Sequence, residues 1–211
     1  MSRLRVLLKS LSSLELVMSY NVSIDAKCAE AIGRVCILWE RLESSERSLL
    51  AHSMGAFKNM VMDPAILCID FRDVLKGLQT SCFTNKPSDE WYTALRDHII
   101  FVDNTLRPIR NDFIHGTWIT GERGTWLLKV SPKVLRPQSR QIELRSMQDA
   151  KVLPAIFDNV IEAILGELEF ITSITRTFLF PSEENFEELR TGLPPRTLLH
   201  PLQEKANPQS S

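Results

Sequence analysis

From Trp91 to Phe113 an apolar residue returns every three or four positions: Trp91, Leu95, Ile99, Val102, Leu106, Ile109 and Phe113. That is the period of one helix face turned toward a core. Ser88, Asp89 and Glu90 supply an N-cap and an acidic first turn, and Gly116 is the natural stop. The stripe continues through Pro108, so the proline predicts a kink and not an end. A helix with such a face needs partners, and the chain provides them. Residues 24–54 read as one long helix with Ser23 as N-cap, Asp25 in the first turn and Gly55 just past the end. Its inward stripe is Ile32, Val35, Trp39, Leu42 and Leu49. A second helix starts at Asp63-Pro64, carries Leu67, Phe71, Val74, Leu75 and Leu78, and ends before Asn85-Lys86-Pro87. The last long helix runs from Gln148 to about Phe178, with Pro154 marking a first turn and Ile156, Val160, Ile164, Leu168 and Ile171 inward.

After Gly116 the period changes. Trp118 and Ile119, then Gly121-Glu122-Arg123-Gly124, then Trp126, Leu127, Leu128 and Val130 predict a hairpin, to which residues 140–145 add a third alternating strand. Residues 1–22 carry short apolar clusters among serines, compatible with one helix or one strand. The expected fold is therefore mainly α: an antiparallel four-to-five-helix bundle with a small β-hairpin insert at about 117–145, all within one domain over residues 1–180. Residues 181–211, rich in Glu, Pro and Ser, read as a loosely ordered tail, with Glu183, Glu184, Glu187 and Glu188 on the solvated face of a short helix.

Composition excludes several classes of function. The apolar fraction is 44% and the charged fraction 24%, ordinary for a folded domain. Twenty-five Lys and Arg against 26 Asp and Glu leave a net charge of −1, so any nucleic-acid contact is a local cationic site and not a basic face. Cys28, Cys36, Cys68 and Cys82 have no metal-ligand spacing and are expected as small buried apolar side chains. Metal and cofactor are expected to be absent. His98 sits beside the apolar stripe and reads as a satisfied residue rather than a ligand. No apolar run reaches the roughly 18 residues of a membrane span, and Lys9 breaks the N-terminal apolar run that a signal peptide needs. A cytoplasmic, reducing setting and no membrane partner are the expectation.

One segment carries chemistry: Leu106-Arg-Pro-Ile-Arg-Asn-Asp-Phe-Ile-His-Gly-Thr-Trp118. On a helical wheel Val102, Leu106 and Phe113 face the core, while Arg107, Asn111 and His115 share the opposite half with Arg110 at its edge. A guanidinium grips a phosphate bidentately and stabilises the extra charge of a pentavalent transition state. An imidazole takes or gives a proton near neutrality, and an amide orients either partner. Such a set suffices for cleavage of RNA without metal, the 2′-hydroxyl acting as internal nucleophile. Ile100 and Ile114 fall on the same polar half, which makes sense if that face meets a second copy.

Arg110-Asn111-x-x-x-His115 also resembles the R-x4-6-H signature of HEPN domains. The Gly-Thr-Trp that follows it, the Trp39-Glu40-Arg-Leu-Glu43 run in an earlier long helix and the apolar helices leading up to it extend the likeness over residues 24–177. The resemblance implies Arg110 and His115 as a catalytic pair with Asn111 as polar helper. It implies a homodimeric, metal-independent endoribonuclease without cofactor, of the toxin or defence kind, with RNA as substrate and an antitoxin or nucleotidyltransferase as partner. The wheel adds Arg107 as a substrate-binding residue, and Glu43 is a candidate to orient the arginine or the histidine from the neighbouring helix. Members of the family also serve as non-catalytic interaction or nucleotide-binding modules, which is the alternative reading.

These residues have ordinary structural uses too. Arg110 would then pair with a carboxylate of the bundle, His115 would interact with the last carbonyls of its helix, and Asn111 would be a solvated amide.

Overall fold

Helix α1 (Ala26–Ser53) buries Val35, Leu38, Trp39, Leu42, Leu49 and Leu50 along one face, with Ile32 packed half-buried beside them. It ends where Gly55 takes a φ of +64°, a left-handed conformation that lets Gly55 and Ala56 donate to the carbonyls of His52 and Ala51. This is the helix stop expected at Gly55. The computed structural model describes residues 26–58, 61–121, 124–129, 143–145, 153–192, 194 and 196, and over these the chain is mainly helical. Ser23, Ile24, the 1–22 segment and residues 197–211 lie outside the described residues.

The segment beginning at Asp63 differs from expectation. A two-residue pairing, β1 (Phe57–Lys58) with β2 (Val61–Met62), leads into a short helix α2 (Pro64–Leu67). The chain then starts afresh as α3 (Phe71–Asn85), because Asp70 accepts from the Arg72 backbone N–H and caps a new helix. Arg47, reaching from α1, donates to the carbonyls of Ile66 (2.8 Å) and Ile69 (2.7 Å) and so terminates the first turn. Leu67, expected inward, is consequently exposed, while Phe71, Val74, Leu75 and Leu78 are buried as the stripe predicts.

Helix α4 (Asp89–Phe101) opens with Ser88 accepting from the Trp91 N–H at 3.0 Å. It passes through a five-residue π-helical segment, Val102–Leu106, into α5 (Arg107–His115). The Arg107 N–H reaches back to the Val102 carbonyl across the widened turn. Pro108 has no N–H to give and its ring crowds the preceding turn, so the wide turn ahead of it accommodates the proline without ending the helix. All seven residues of the predicted stripe, Trp91 to Phe113, are buried. Beyond Gly116 the backbone of β3 (Thr117–Gly121) pairs antiparallel with β4 (Gly124–Lys129), and β5 (Glu143–Arg145) pairs with β4.

Helix α6 (Leu153–Leu179) carries Pro154 in its first turn and buries Phe157, Val160, Ile161, Ile164, Phe170, Ile171 and Ile174; Ile156 and Leu168 are half-buried at the edge of the core. It packs along α1 and against α4, where the Trp91 indole N–H donates to the Ile174 carbonyl at 2.9 Å. The chain does not loosen at Pro181. Ser182 caps a helix α7 (Glu183–Thr191) that packs on α6 through buried Leu189 and is pinned by Arg190 to Glu90 of α4 and by Glu188 to Arg176. Residues 182–192 thus belong to the folded body, contrary to the tail expected from their composition. Of the cysteines, Cys28 and Cys82 are buried as expected, whereas Cys36 is half-buried and Cys68 exposed. No helix among the described residues is long and apolar enough to cross a membrane.

Within the apolar core lies a charged bridge. His98 of α4, fully buried, meets Glu167 of α6 through Nδ1 (2.5 Å) and Glu46 of α1 through Nε2 (2.8 Å). Both carboxylates are fully buried, and Glu46 Oε2 has no hydrogen-bond partner. Burial by itself would push the imidazole down, but the hydrogen bonds from Glu167 and Glu46 outweigh it and raise His98 to about 9. Burial raises Glu46 above the usual carboxylate range. For Glu167, the bonds from His98 and Arg196 overcome burial and hold it below that range.

The sign of the pH dependence follows. His98 has a folded value above its ordinary 6.5, so its stabilisation is complete below about 6.5 and is lost as the pH rises toward 9. Glu167 contributes above its ordinary 4.5 and loses its contribution in acid. Glu46, raised by burial, works the other way from Glu167 in acid, so the clear signature is alkaline: urea unfolding of the full chain is expected to show stability declining from about pH 6.5 toward pH 9. His98→Gln should cost roughly 3–5 kcal/mol by leaving Glu46 buried without its cation and Glu167 with Arg196 alone, and should flatten that alkaline decline. An unchanged slope in the variant would show that the imidazole is not the titrating group.

Candidate functional site

The C-terminal half of the kinked helix brings the predicted pair together. Arg110 Nη1 lies 3.4 Å from His115 Nε2, although the two residues are five apart on α5. The same Nη1 donates to Asn111 Oδ1 at 3.0 Å. Asn111 therefore braces the arginine and not the histidine, which differs from the neighbour relation that the wheel gives Asn111 and His115. His115 is the last residue of α5 and is exposed; the Gly116 N–H caps the turn by donating to the Asp112 carbonyl.

Arg110 is held from below by aromatic surface. Its guanidinium carbon sits 5.7 Å from the centre of the Trp39 ring of α1, and its Nε is buried without a hydrogen-bond partner. The indole N–H of Trp39 donates to Glu43, and Glu43 also pairs with Arg47 at 3.7 Å. Glu43 thus touches neither Arg110 nor His115. It anchors the ring on which Arg110 rests, and the carboxylate at the indole N–H enriches the ring face that meets the cation. Trp39 is accordingly a neighbour of Arg110 to which the sequence, reading it in the core stripe and in the run that carries the resemblance, assigns no role at the site.

Arg107 is otherwise engaged. Its Nε and Nη2 both lie 2.7 Å from Asp103 Oδ1, one turn back, so its charge is neutralised in place. This removes the ground for assigning it to substrate. The contrast with Arg110 lies in burial: of the described arginines that are half-buried, Arg47, Arg107 and Arg196 each meet a carboxylate, and Arg110 meets none among the described residues. A half-buried guanidinium paired only with an amide, an imidazole and a ring face retains its full charge for an incoming anion.

Of the two isoleucines on the polar half, Ile100 is 46% exposed and Ile114 is half-buried. No group of His, Cys, Asp and Glu among the described residues is arranged to hold a metal ion. No protein-family model, curated protein or solved structure matches the chain.

Residues kept for binding contribute little to folding. Arg110→Gln and His115→Gln are each expected to unfold within about 1 kcal/mol of the parent in urea. A loss above about 2 kcal/mol for either would mark it as a structural residue instead.

Proposed function

We propose that the chain is a HEPN-like, metal-independent endoribonuclease that cleaves RNA by internal 2′-hydroxyl attack, working as a homodimer in a cytoplasmic toxin or defence system. The observation that carries this reading is the pairing of a half-buried arginine that no carboxylate neutralises among the described residues with an exposed histidine 3.4 Å away, at the C-terminal end of a helix. Arg110 would bind the scissile phosphate and offset the charge that builds on it in the transition state. His115 of one copy would remove the 2′-hydroxyl proton as the 2′-oxygen bonds to phosphorus. The same imidazole of the second copy would give a proton to the departing 5′-oxygen as its bond to phosphorus breaks. Asn111 and Trp39 hold the guanidinium in line. Ile100, exposed on α4 ahead of the π-helical segment, offers an apolar contact for that second copy. The finer architecture belongs to the same proposal: an antiparallel bundle interrupted by a hairpin insert, with an antitoxin or nucleotidyltransferase as partner.

The test is incubation of structured and unstructured RNA with the protein in excess chelator. Cleavage leaving 2′,3′-cyclic phosphate ends is expected, and His115→Ala and Arg110→Ala should each lower the rate at least ~100-fold. Equal behaviour of the three proteins, or 5′-phosphate products, would contradict the reading. Binding of RNA without cleavage would favour the alternative, a non-catalytic module of the same fold.

A further inference from the structure

After α7 ends at Gly192 the chain turns back onto α6. Pro194 lies against Gly166, where an added Cβ would come within 3.0 Å of the proline Cβ. Two residues on, Arg196 lays its guanidinium fork on Glu167: Nε donates to Oε1 at 2.9 Å and Nη2 to Oε2 at 3.3 Å. The guanidinium carbon also sits 5.2 Å from the centre of the Phe170 ring and 5.7 Å from that of Phe101. Glu167 is fully buried, whereas the Arg196 side chain keeps 20% of its surface exposed. A buried carboxylate with two aromatic rings beside it, entered over a glycine, is a built receptor for one kind of side chain. It suits a planar, bidentate cation that stacks, which is arginine and not lysine. The glycine notch admits a proline two positions earlier.

We propose that Gly166, Glu167, Phe170 and Phe101 form a docking site for a Pro-x-Arg segment, filled in cis by the chain's own Pro194 and Arg196 as a releasable latch. The assignment is independent of the ribonuclease reading. Arg196 meets both oxygens of Glu167 and shares Oε2 with His98, so its guanidinium is the second cation of the buried charge cluster. Only a short connection separates it from the end of α7, giving an effective concentration of about millimolar or above. A peptide in solution therefore meets an occupied site unless the latch is disabled.

The test uses the full chain with Arg196→Ala and a fluorescein-labelled peptide of residues 192–198, Gly-Leu-Pro-Pro-Arg-Thr-Leu. Anisotropy is expected to show the variant binding the peptide at least ~10-fold more tightly than the parent, with the peptide raising the lowered melting temperature of the variant. A peptide with lysine in place of arginine should bind at least ~10-fold more weakly. Adding Gly166→Val to the variant should abolish binding while leaving the chain folded by circular dichroism. Should Arg196→Ala fail to fold, Arg196→Lys keeps a charge over Glu167 and is read in the same way. Equal binding by parent and variant, equal binding of the arginine and lysine peptides, or no binding to the folded variant would overturn the proposal.

Discussion

The fold depends on one buried imidazole. His98 stands between a carboxylate of α1 and a carboxylate of α6, and so joins three helices whose other contacts, the Trp91–Ile174 hydrogen bond apart, are mainly apolar. An apolar stripe fixes which face of a helix turns inward but tolerates sliding along the axis, since one leucine contact resembles the next. Directional hydrogen bonds on both sides of a fully desolvated ring do not tolerate it, because a shift of one turn would leave a charge buried and unpaired. Arg196 completes the arrangement from outside by supplying the positive charge that Glu167 shares with His98. The helix that leads to the candidate site is thereby fixed about its axis and along it.

Between that anchor and the site lies the π-helical segment. An extra residue in the turn rotates everything after it by roughly 100° relative to an uninterrupted α-helix. Val102, Leu106, Ile109 and Phe113 nevertheless all remain buried, since the segment itself packs against the core. Asp103 and Arg107 close on each other across it, which holds the segment together and takes one arginine out of play. Arg110 then falls over Trp39, with its fork directed at Asn111 and His115. Proline, wide turn, ion pair and ring platform are one local solution that leaves the half-buried Arg110 without a carboxylate partner among the described residues.

What was legible in the sequence was whatever short-range spacing determines. The Trp91–Phe113 stripe, the Ser88 cap, the stop at Gly55 and the meeting of Arg110 with His115 all follow from residues a few positions apart. Two misreadings were also local and could have been avoided. Asp103 and Arg107 stand one turn apart, as do Trp39, Glu43 and Arg47, so their pairings compete with any role toward substrate. The break before Asp70 was hidden because Leu67 continues the apolar period, and the interruption is enforced by Arg47 from another helix. The His98 bridge had no local signal: its partners lie 52 and 69 positions away and are acidic residues of a kind expected at the surface. Composition is a poor guide at residues 182–192, where Leu189 is buried, Glu188 pairs with Arg176 of α6 and Arg190 pairs with Glu90 of α4.

The central claim is that Arg110 and His115 act on one anion. The most direct measurement is NMR of the Arg110 guanidinium and His115 imidazole signals during titration with a non-cleavable 2′-deoxy dinucleotide. The account predicts that both sets of signals move together and saturate with one dissociation constant, while those of Arg107 stay in place. Movement of only one of the two, or of neither at saturating ligand, would contradict it.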